Sequence, residues 1–156
     1  MNIPNLFAKG LKAGFGKNNS FLTIDRGGFK ITGSHQTFGQ ASYHDEWITG
    51  GGQELVKYEN GNMYTRVYAG DCISTENLLK LQITEGEVMS FLKNIIVKFS
   101  EKIRFDKEFE TKVDEWNYSY KVLFEGSDPL LLIGIETISY KNTTVFIHSF
   151  SISRVR

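Results

Sequence analysis

The chain has 156 residues, of which 40% are hydrophobic and 23% charged, so it can bury a core of its own as a single domain over residues 1–156. Eighteen Lys and Arg residues balance eighteen Asp and Glu residues, a neutral total that argues against a nucleic-acid partner. The single cysteine, Cys72, excludes an internal disulfide and predicts a reducing, cytoplasmic location. No apolar run reaches the roughly 18 residues of a membrane span.

The N-terminal third begins with a predicted helix and a predicted hairpin. Residues 3–13 carry apolar side chains at helical spacing, and Gly14 is a natural stop. Residues 20–33 alternate apolar and polar side chains around Arg26–Gly27, which predicts two antiparallel strands joined by a tight turn.

A second hairpin is predicted over residues 53–69. Its turn falls at Asn60–Gly61, a dipeptide that favours two-residue turns with positive φ. In this register the hairpin has a half-exposed face that carries Tyr64, Arg66 and Tyr68.

The centre of the chain contains the clearest helix signal. Residues 78–83 are predicted to form a short strand. Thr84 and Glu87 then have the spacing of a capping box, which marks a helix start. Apolar residues recur at intervals of three and four as far as Ile103, and we therefore predict one long helix over about 85–103 that covers a sheet.

The last third is predicted to be strand. Residues 112–124 alternate aromatic and polar side chains, a turn follows at 126–129, and residues 130–140 and 144–154 form a hairpin across Lys141–Asn142. The fold class is therefore α+β: a mainly antiparallel, hairpin-rich sheet of about seven to eight strands, one long helix and a short N-terminal helix.

Residues 33–52 remain as a long connection without a predicted element. Its residues GSHQTFGQASYHDEWITGGG include several with chemical potential, and long loops are often functional or mobile. His35, His44 and the neighbouring Asp45 and Glu46 are metal-ligand types, but their spacing matches no known site. We expect no metal and no cofactor, because no complete motif for either is present.

One enzymatic hypothesis uses two histidines. His35 and Thr37 form a His-x-Thr pattern like those that two-histidine phosphoesterases use twice, yet Phe150 stands where the second hydroxyl after His148 would be. Glu136 is expected opposite His148 on the neighbouring strand. The alternative function is thus a small histidine-dependent hydrolase or phosphoesterase that uses His35, Thr37, His148 and Glu136.

The favoured hypothesis is a protein-binding domain, such as an inhibitor, immunity or accessory protein. The chain lacks a complete catalytic motif and is rich in the aromatic residues Tyr, Phe and Trp, which contribute strongly to protein interfaces. Another protein would be the partner, and homo-oligomers are compatible with the sequence. The predicted binding residues are Tyr43, His44, Trp47, Tyr64, Arg66 and Tyr68.

A third reading is a lipid- or ligand-binding cavity between the sheet and the main helix. It requires an unfilled apolar volume beneath the helix. The chain contains twelve phenylalanines, which favour a filled interior instead.

Overall fold

The computed structural model describes residues 3–17, 21–104, 107–126 and 131–155, with side chains from residue 5 onward. Within these residues nine strands form one antiparallel sheet in the order β1-β2-β3-β4-β5-β9-β8-β7-β6. The strands are β1 Leu22–Arg26, β2 Phe29–Phe38, β3 Ala41–Ile48, β4 Gly51–Lys57, β5 Met63–Cys72, β6 Glu108–Val113, β7 Trp116–Glu125, β8 Leu132–Tyr140 and β9 Thr143–Val155. The helices are α1 Ile3–Leu11, a π-helical turn Lys12–Gly16, α2 Thr75–Lys80 and α3 Glu85–Phe99.

The sheet has an inner face, against which α1 and α3 pack, and an outer face. Because side chains alternate along a strand, the strand register defines which residues share each face. One inner row joins Asp45, Glu54, Arg66 and Ile152 across β3, β4, β5 and β9. All four of these side chains are buried, so the inner face carries charged groups as well as the apolar core.

Helix α1 lies directly on the inner face because Gly10 has no side chain. A Cβ atom at Gly10 would stand 2.0 Å from the nearest ring atom of Tyr43, whose side chain is fully buried. The Phe7 ring of the same helix packs over the Arg66 guanidinium, 4.8 Å from the ring centroid. The glycine that weakens α1 as an isolated helix is therefore the residue that lets it dock.

Helix α3 begins with the predicted capping box, since the Thr84 hydroxyl accepts the Glu87 N–H and the Glu87 carboxylate accepts the Thr84 N–H. Its buried residues follow helical spacing and include Val88 and Leu92. The helix ends at Phe99, earlier than predicted, and residues 100–104 form a turn. Ile103 belongs to the apolar pattern because it is buried in that turn.

Two predicted elements are wrong. Residues 78–83 do not form a strand; helix α2 occupies Thr75–Lys80, and the Ser74 side chain caps it. Residues 33–52 are not a loop, because β2 and β3 run through them as a hairpin. Instead of about seven to eight strands under one long helix, the part of the chain that the structure describes forms nine strands with several short helices.

The hairpin between β4 and β5 has a different register from the predicted one. Its connection runs from Tyr58 to Asn62, where the Tyr58 N–H donates to the Asn62 carbonyl oxygen at 2.9 Å. Val56 consequently lies opposite Tyr64. The predicted two-residue turn at Asn60–Gly61 would have paired Val56 with the next residue along the chain, so the register differs by one residue. This shift places Tyr64, Arg66 and Tyr68 on the inner face.

The first and last hairpins follow the predictions more closely. Strands β1 and β2 are joined at Gly27–Gly28, one residue beyond the expected turn. Strands β8 and β9 turn at Lys141–Asn142, whose φ angles of 47° and 66° suit a two-residue hairpin turn. Most of the predicted 126–129 turn lies outside the described residues. No helix in the described part of the chain is long and apolar enough to cross a membrane.

We predict that Gly10→Ala lowers the free energy of unfolding by about 1–3 kcal/mol, because the added methyl overlaps the buried Tyr43 ring. Chemical denaturation measures this change. Gly86→Ala in α3 is the matched control, since the nearest atom to its new Cβ is 3.8 Å away. The control is expected to leave stability unchanged or to raise it by up to about 1 kcal/mol. Equal stability of the two variants would contradict the docking of α1 on Tyr43.

Candidate functional site

A cavity of about 580 Å³ lies between the inner face of the sheet and α3. Met89, Leu92 and Ile96 line it from the helix, and strands β2 to β5 and β9 line it from the sheet. Its other apolar lining residues are Leu11, Phe15, Phe29, Trp47, Ile48 and Phe146. Its charged or polar ones are Lys30, Thr32, Asp45, Thr49, Tyr68, Asp71, Glu85, Arg104 and His148.

Trp47 is the central aromatic group of the cavity wall. Its ring meets Phe15 edge-on with centroids 6.4 Å apart and Phe21 edge-on at 5.3 Å. Phe15 belongs to the π-helical turn, a local distortion often associated with functional sites. The wall is therefore a packed aromatic surface, to which a segment outside the sheet contributes.

The floor of the cavity borders a group of buried ionisable side chains, which we call the inner polar cluster. Most of its members project from the inner face of the sheet, and one comes from the turn after α3. The cluster consists of Tyr43, Asp45, Glu54, Arg66, Tyr68, Arg104, Tyr118, Glu136 and His148.

The first ion pair of the cluster joins Glu54 and Arg66, which are both fully buried. Arg66 donates from Nε to Glu54 Oε2 and from Nη2 to Glu54 Oε1, the latter at 2.6 Å. The Tyr43 hydroxyl donates to the same Oε1 at 2.7 Å. The Glu54 carboxylate is thus satisfied by a guanidinium and a phenol.

The second ion pair joins Glu136 and Arg104. Arg104 donates from Nη2 to Glu136 Oε2 at 2.7 Å and from Nε to Oε1 at 3.2 Å, and Tyr118 also donates to Oε1. His148 Nδ1 lies 3.4 Å from Oε2. Burial would raise the pKa of Glu136, but the Arg104 guanidinium and the His148 contact hold it well below its usual value. Glu136 is therefore ionised at neutral pH.

Arg104 reaches the cluster through a strained backbone. Its φ of 65° is in the left-handed region, which a non-glycine residue adopts at a cost. The Tyr120 hydroxyl donates to the Lys102 carbonyl oxygen at 2.7 Å and so attaches this turn to β7. The strain places a fully charged guanidinium beneath α3, where it also lies over the Tyr68 ring at 5.8 Å.

Asp45 differs from the other two carboxyl groups. Its side chain is buried, and the Tyr68 hydroxyl donates to its Oδ1 at 3.0 Å. Among the described residues no lysine or arginine forms an ion pair with it. Burial, reinforced by the nearby Glu54 charge, raises the pKa of Asp45 to about 8. At neutral pH the cavity is therefore lined by a carboxylic acid, which can donate a hydrogen bond.

The histidines of the enzymatic hypothesis do not meet. His35 lies opposite His44 on the outer face, where their ring centroids are 5.6 Å apart, and Thr37 is exposed on the same face. His148 lies on the inner face, directly opposite Glu136 as predicted. The two imidazoles occupy opposite faces of the sheet, so His35 and His148 do not line one pocket.

The predicted protein-binding residues do not form a surface either. Tyr43, Tyr64 and Arg66 are buried on the inner face, whereas Trp47 and Tyr68 line the cavity. His44 points from the outer face and contacts Glu46 at 2.8 Å, and it is the only one of the six outside the inner side of the sheet. The one-residue shift between β4 and β5 explains the error for the residues of β5.

Sequence reasoning missed Glu54, Arg104 and Tyr118 as site residues. Arg104 and Glu54 carried no motif, and their pairing is visible only once the strands are in register. One sequence signal could have located Asp45. It lies two residues from both Tyr43 and Trp47, and residues at this spacing in a strand share a face.

Cys72 is half-buried against the core, and burial raises the pKa of its thiol to about 11, so the thiol form predominates at neutral pH. The described residues include no cluster of three or more His, Cys, Asp or Glu side chains placed to hold a metal ion.

The fold and the cavity define an α+β domain built on one antiparallel sheet, with buried ionisable groups beneath its main helix. The chain belongs to the family described as Domain of unknown function (DUF5680), whose model matches residues 38–155. That range includes every member of the inner polar cluster, whereas α1 and the π-helical turn precede it. Neither the curated proteins nor the solved structures yielded a match.

We predict that Asp45→Asn removes a pH dependence of stability. The pKa of Asp45 is 3.8 in the unfolded chain and about 8 in the folded protein. The contribution of Asp45 to stability is therefore complete below pH 3.8, and it is lost as the pH rises to about 8. Between pH 5 and pH 7 the wild type should therefore lose about 1.4 kcal/mol per pH unit relative to the variant. Urea unfolding at several pH values measures the difference, and parallel curves would refute the prediction.

We also predict that Arg66→Met lowers the free energy of unfolding by about 3–5 kcal/mol, because it leaves the buried Glu54 carboxylate without its cation. Adding Glu54→Gln should recover most of this loss, since the amide oxygen still accepts from Tyr43 and no charge remains. A double-mutant cycle by denaturation gives the coupling energy. Additive effects would show that the pair does not act as a unit.

Proposed function

We propose that this protein binds a small, largely apolar molecule in the cavity between the inner face and α3. The observation that carries the proposal is the unfilled volume of about 580 Å³ whose apolar walls converge on Asp45, Tyr68, Arg104 and His148. Small-molecule sites are commonly clefts of roughly 300–1,000 Å³ with apolar walls and a few convergent polar groups.

The size and chemistry of the cavity argue for a ligand over a packing defect. Protein interiors contain few voids larger than a water molecule. Asp45 and Arg104 border the cavity, and polar groups of this kind attract water into a space large enough to hold it. An apolar ligand that displaces this water from the Trp47 and Leu92 walls gains the hydrophobic free energy of its own burial.

Trp47 provides a direct assay for binding. In a Trp116→Phe background Trp47 is the remaining tryptophan, and Phe preserves the aromatic stacking of residue 116 on Phe91. We predict that the neutral apolar dye N-phenyl-1-naphthylamine quenches Trp47 fluorescence by energy transfer, with saturation at one dye per chain.

Leu92→Phe tests the location, because the larger side chain occupies part of the cavity from α3. We expect at least about a tenfold loss of dye affinity, equivalent to about 1.4 kcal/mol. Leu79→Phe is the matched control, since Leu79 is 62% exposed on α2 and does not line the cavity. Equal dye affinity in both variants would contradict the proposal.

A second candidate function is protein binding through the outer face, with a second copy of the chain as partner. Val67, Ile133 and Ile147 are exposed there on adjacent strands, and Ser151 lies between Val67 and Ile133. Exposed apolar patches of this kind often mark association surfaces. Sedimentation velocity should show a concentration-dependent dimer that Val67→Lys abolishes, and a monomer at all concentrations would exclude it.

A cytoplasmic location remains part of the proposal. The lone Cys72 thiol supports it, because a protein with one half-buried cysteine gains nothing from an oxidising compartment. Fractionation of the native cells tests the location directly.

A further inference from the structure

We infer that the ligand is a hydrophobic amine whose protonated nitrogen pairs with the carboxylate of Asp45, an inference that rests on the proposed function of the cavity. The charges of the inner polar cluster, and the way in which they are already paired, select this class of ligand.

The cluster contains one more carboxyl group than guanidinium groups. Arg66 is bonded to Glu54 and Arg104 to Glu136, each through two nitrogen atoms. Among the described residues the Tyr68 hydroxyl donates a hydrogen bond to Asp45, and no lysine or arginine forms an ion pair with it. Asp45 therefore carries a buried charge that either a proton or a ligand cation must compensate.

The groups around Asp45 come from several elements of the fold. The charge of Glu54 on β4 disfavours the charged form of Asp45. The Tyr68 hydroxyl and the guanidinium groups of Arg66 and Arg104 favour that form. His148 on β9 contacts Glu136. Burial prevails over these favourable contacts, and Asp45 retains its proton in the empty cavity. A ligand cation within hydrogen-bond distance of Asp45 would stabilise its carboxylate, and the proton would then no longer be needed to neutralise the buried charge.

The rest of the cavity favours a cation over an anion. Asp71 and Glu85 are exposed at the lining and outnumber Lys30, so the approach is net negative. Trp47, Tyr68 and Phe146 also line the cavity, and aromatic rings attract an ammonium group. Arg104 also lines the cavity, but its guanidinium is already bonded to Glu136, so a carboxylate ligand would place a second carboxyl group beside Asp45 without a free cation to pair with.

Binding of such an amine must release a proton. The amine enters as R–NH₃⁺, the Asp45 carboxylic acid gives its proton to solvent, and the resulting carboxylate pairs with the ammonium group. Charge and protons balance, because one proton leaves for each ammonium that enters. An uncharged ligand of the same shape has no reason to release one.

The test compares three probes that share a phenylalkyl body: 4-phenylbutylamine, 4-phenylbutan-1-ol and 5-phenylpentanoate. Titration calorimetry at pH 7 in two buffers of different ionisation enthalpy gives both the affinity and the number of protons released. We expect the amine to bind at least about tenfold more tightly than the alcohol, with release of most of one proton. The carboxylate should bind most weakly.

Asp45→Asn is the decisive variant. It should reduce the affinity of the amine to that of the alcohol and abolish proton release, while the alcohol binds as it does to the wild type. Tighter binding of the alcohol, or binding of the amine without proton release, would overturn the inference and leave ligand binding in the cavity intact. Failure of all three probes and of N-phenyl-1-naphthylamine would overturn the proposed function as well.

Discussion

The compensation of buried charge on the inner face is the constraint on which the rest of this structure depends. Two guanidinium–carboxylate pairs, Arg66–Glu54 and Arg104–Glu136, are removed from water beneath the helices. Such groups are tolerated only when their hydrogen bonds are satisfied, so the register of the strands and the strained turn at Arg104 are fixed together. Among the described residues Asp45 is the buried carboxyl group that has no arginine or lysine partner, and it lines the cavity.

The sequence predicted those elements in which local signals, such as caps and turns, indicate the same structure as the pattern of apolar side chains. The Thr84–Glu87 capping box marked the start of α3, and Lys141–Asn142 marked the last hairpin. The β2–β3 hairpin escaped prediction because several of its inward side chains, such as Ser34 and Asp45, are polar, which removes the apolar alternation that identifies a strand. Such misreadings are expected where function places polar groups inside.

The candidate site was less predictable than the fold for two reasons. A one-residue change in the β4–β5 connection moved Tyr68 and Arg66 from an expected surface to the interior, and hairpin patterning does not fix loop length. The unfilled volume was also unexpected in a chain with twelve phenylalanines. Several of these, including Phe29 and Phe124, are exposed and fill no interior space. Only the pairing of Glu136 with His148 followed from the strand pattern.

The protonation state of Asp45 tests the account most directly, because it depends on every buried charge around it. Infrared difference spectra of the uncomplexed protein report the C=O stretch of a protonated carboxyl group. The account predicts such a band at pH 6 that disappears around pH 8 and is absent from Asp45→Asn. An ionised Asp45 at pH 6 would contradict the charge balance described for the inner polar cluster.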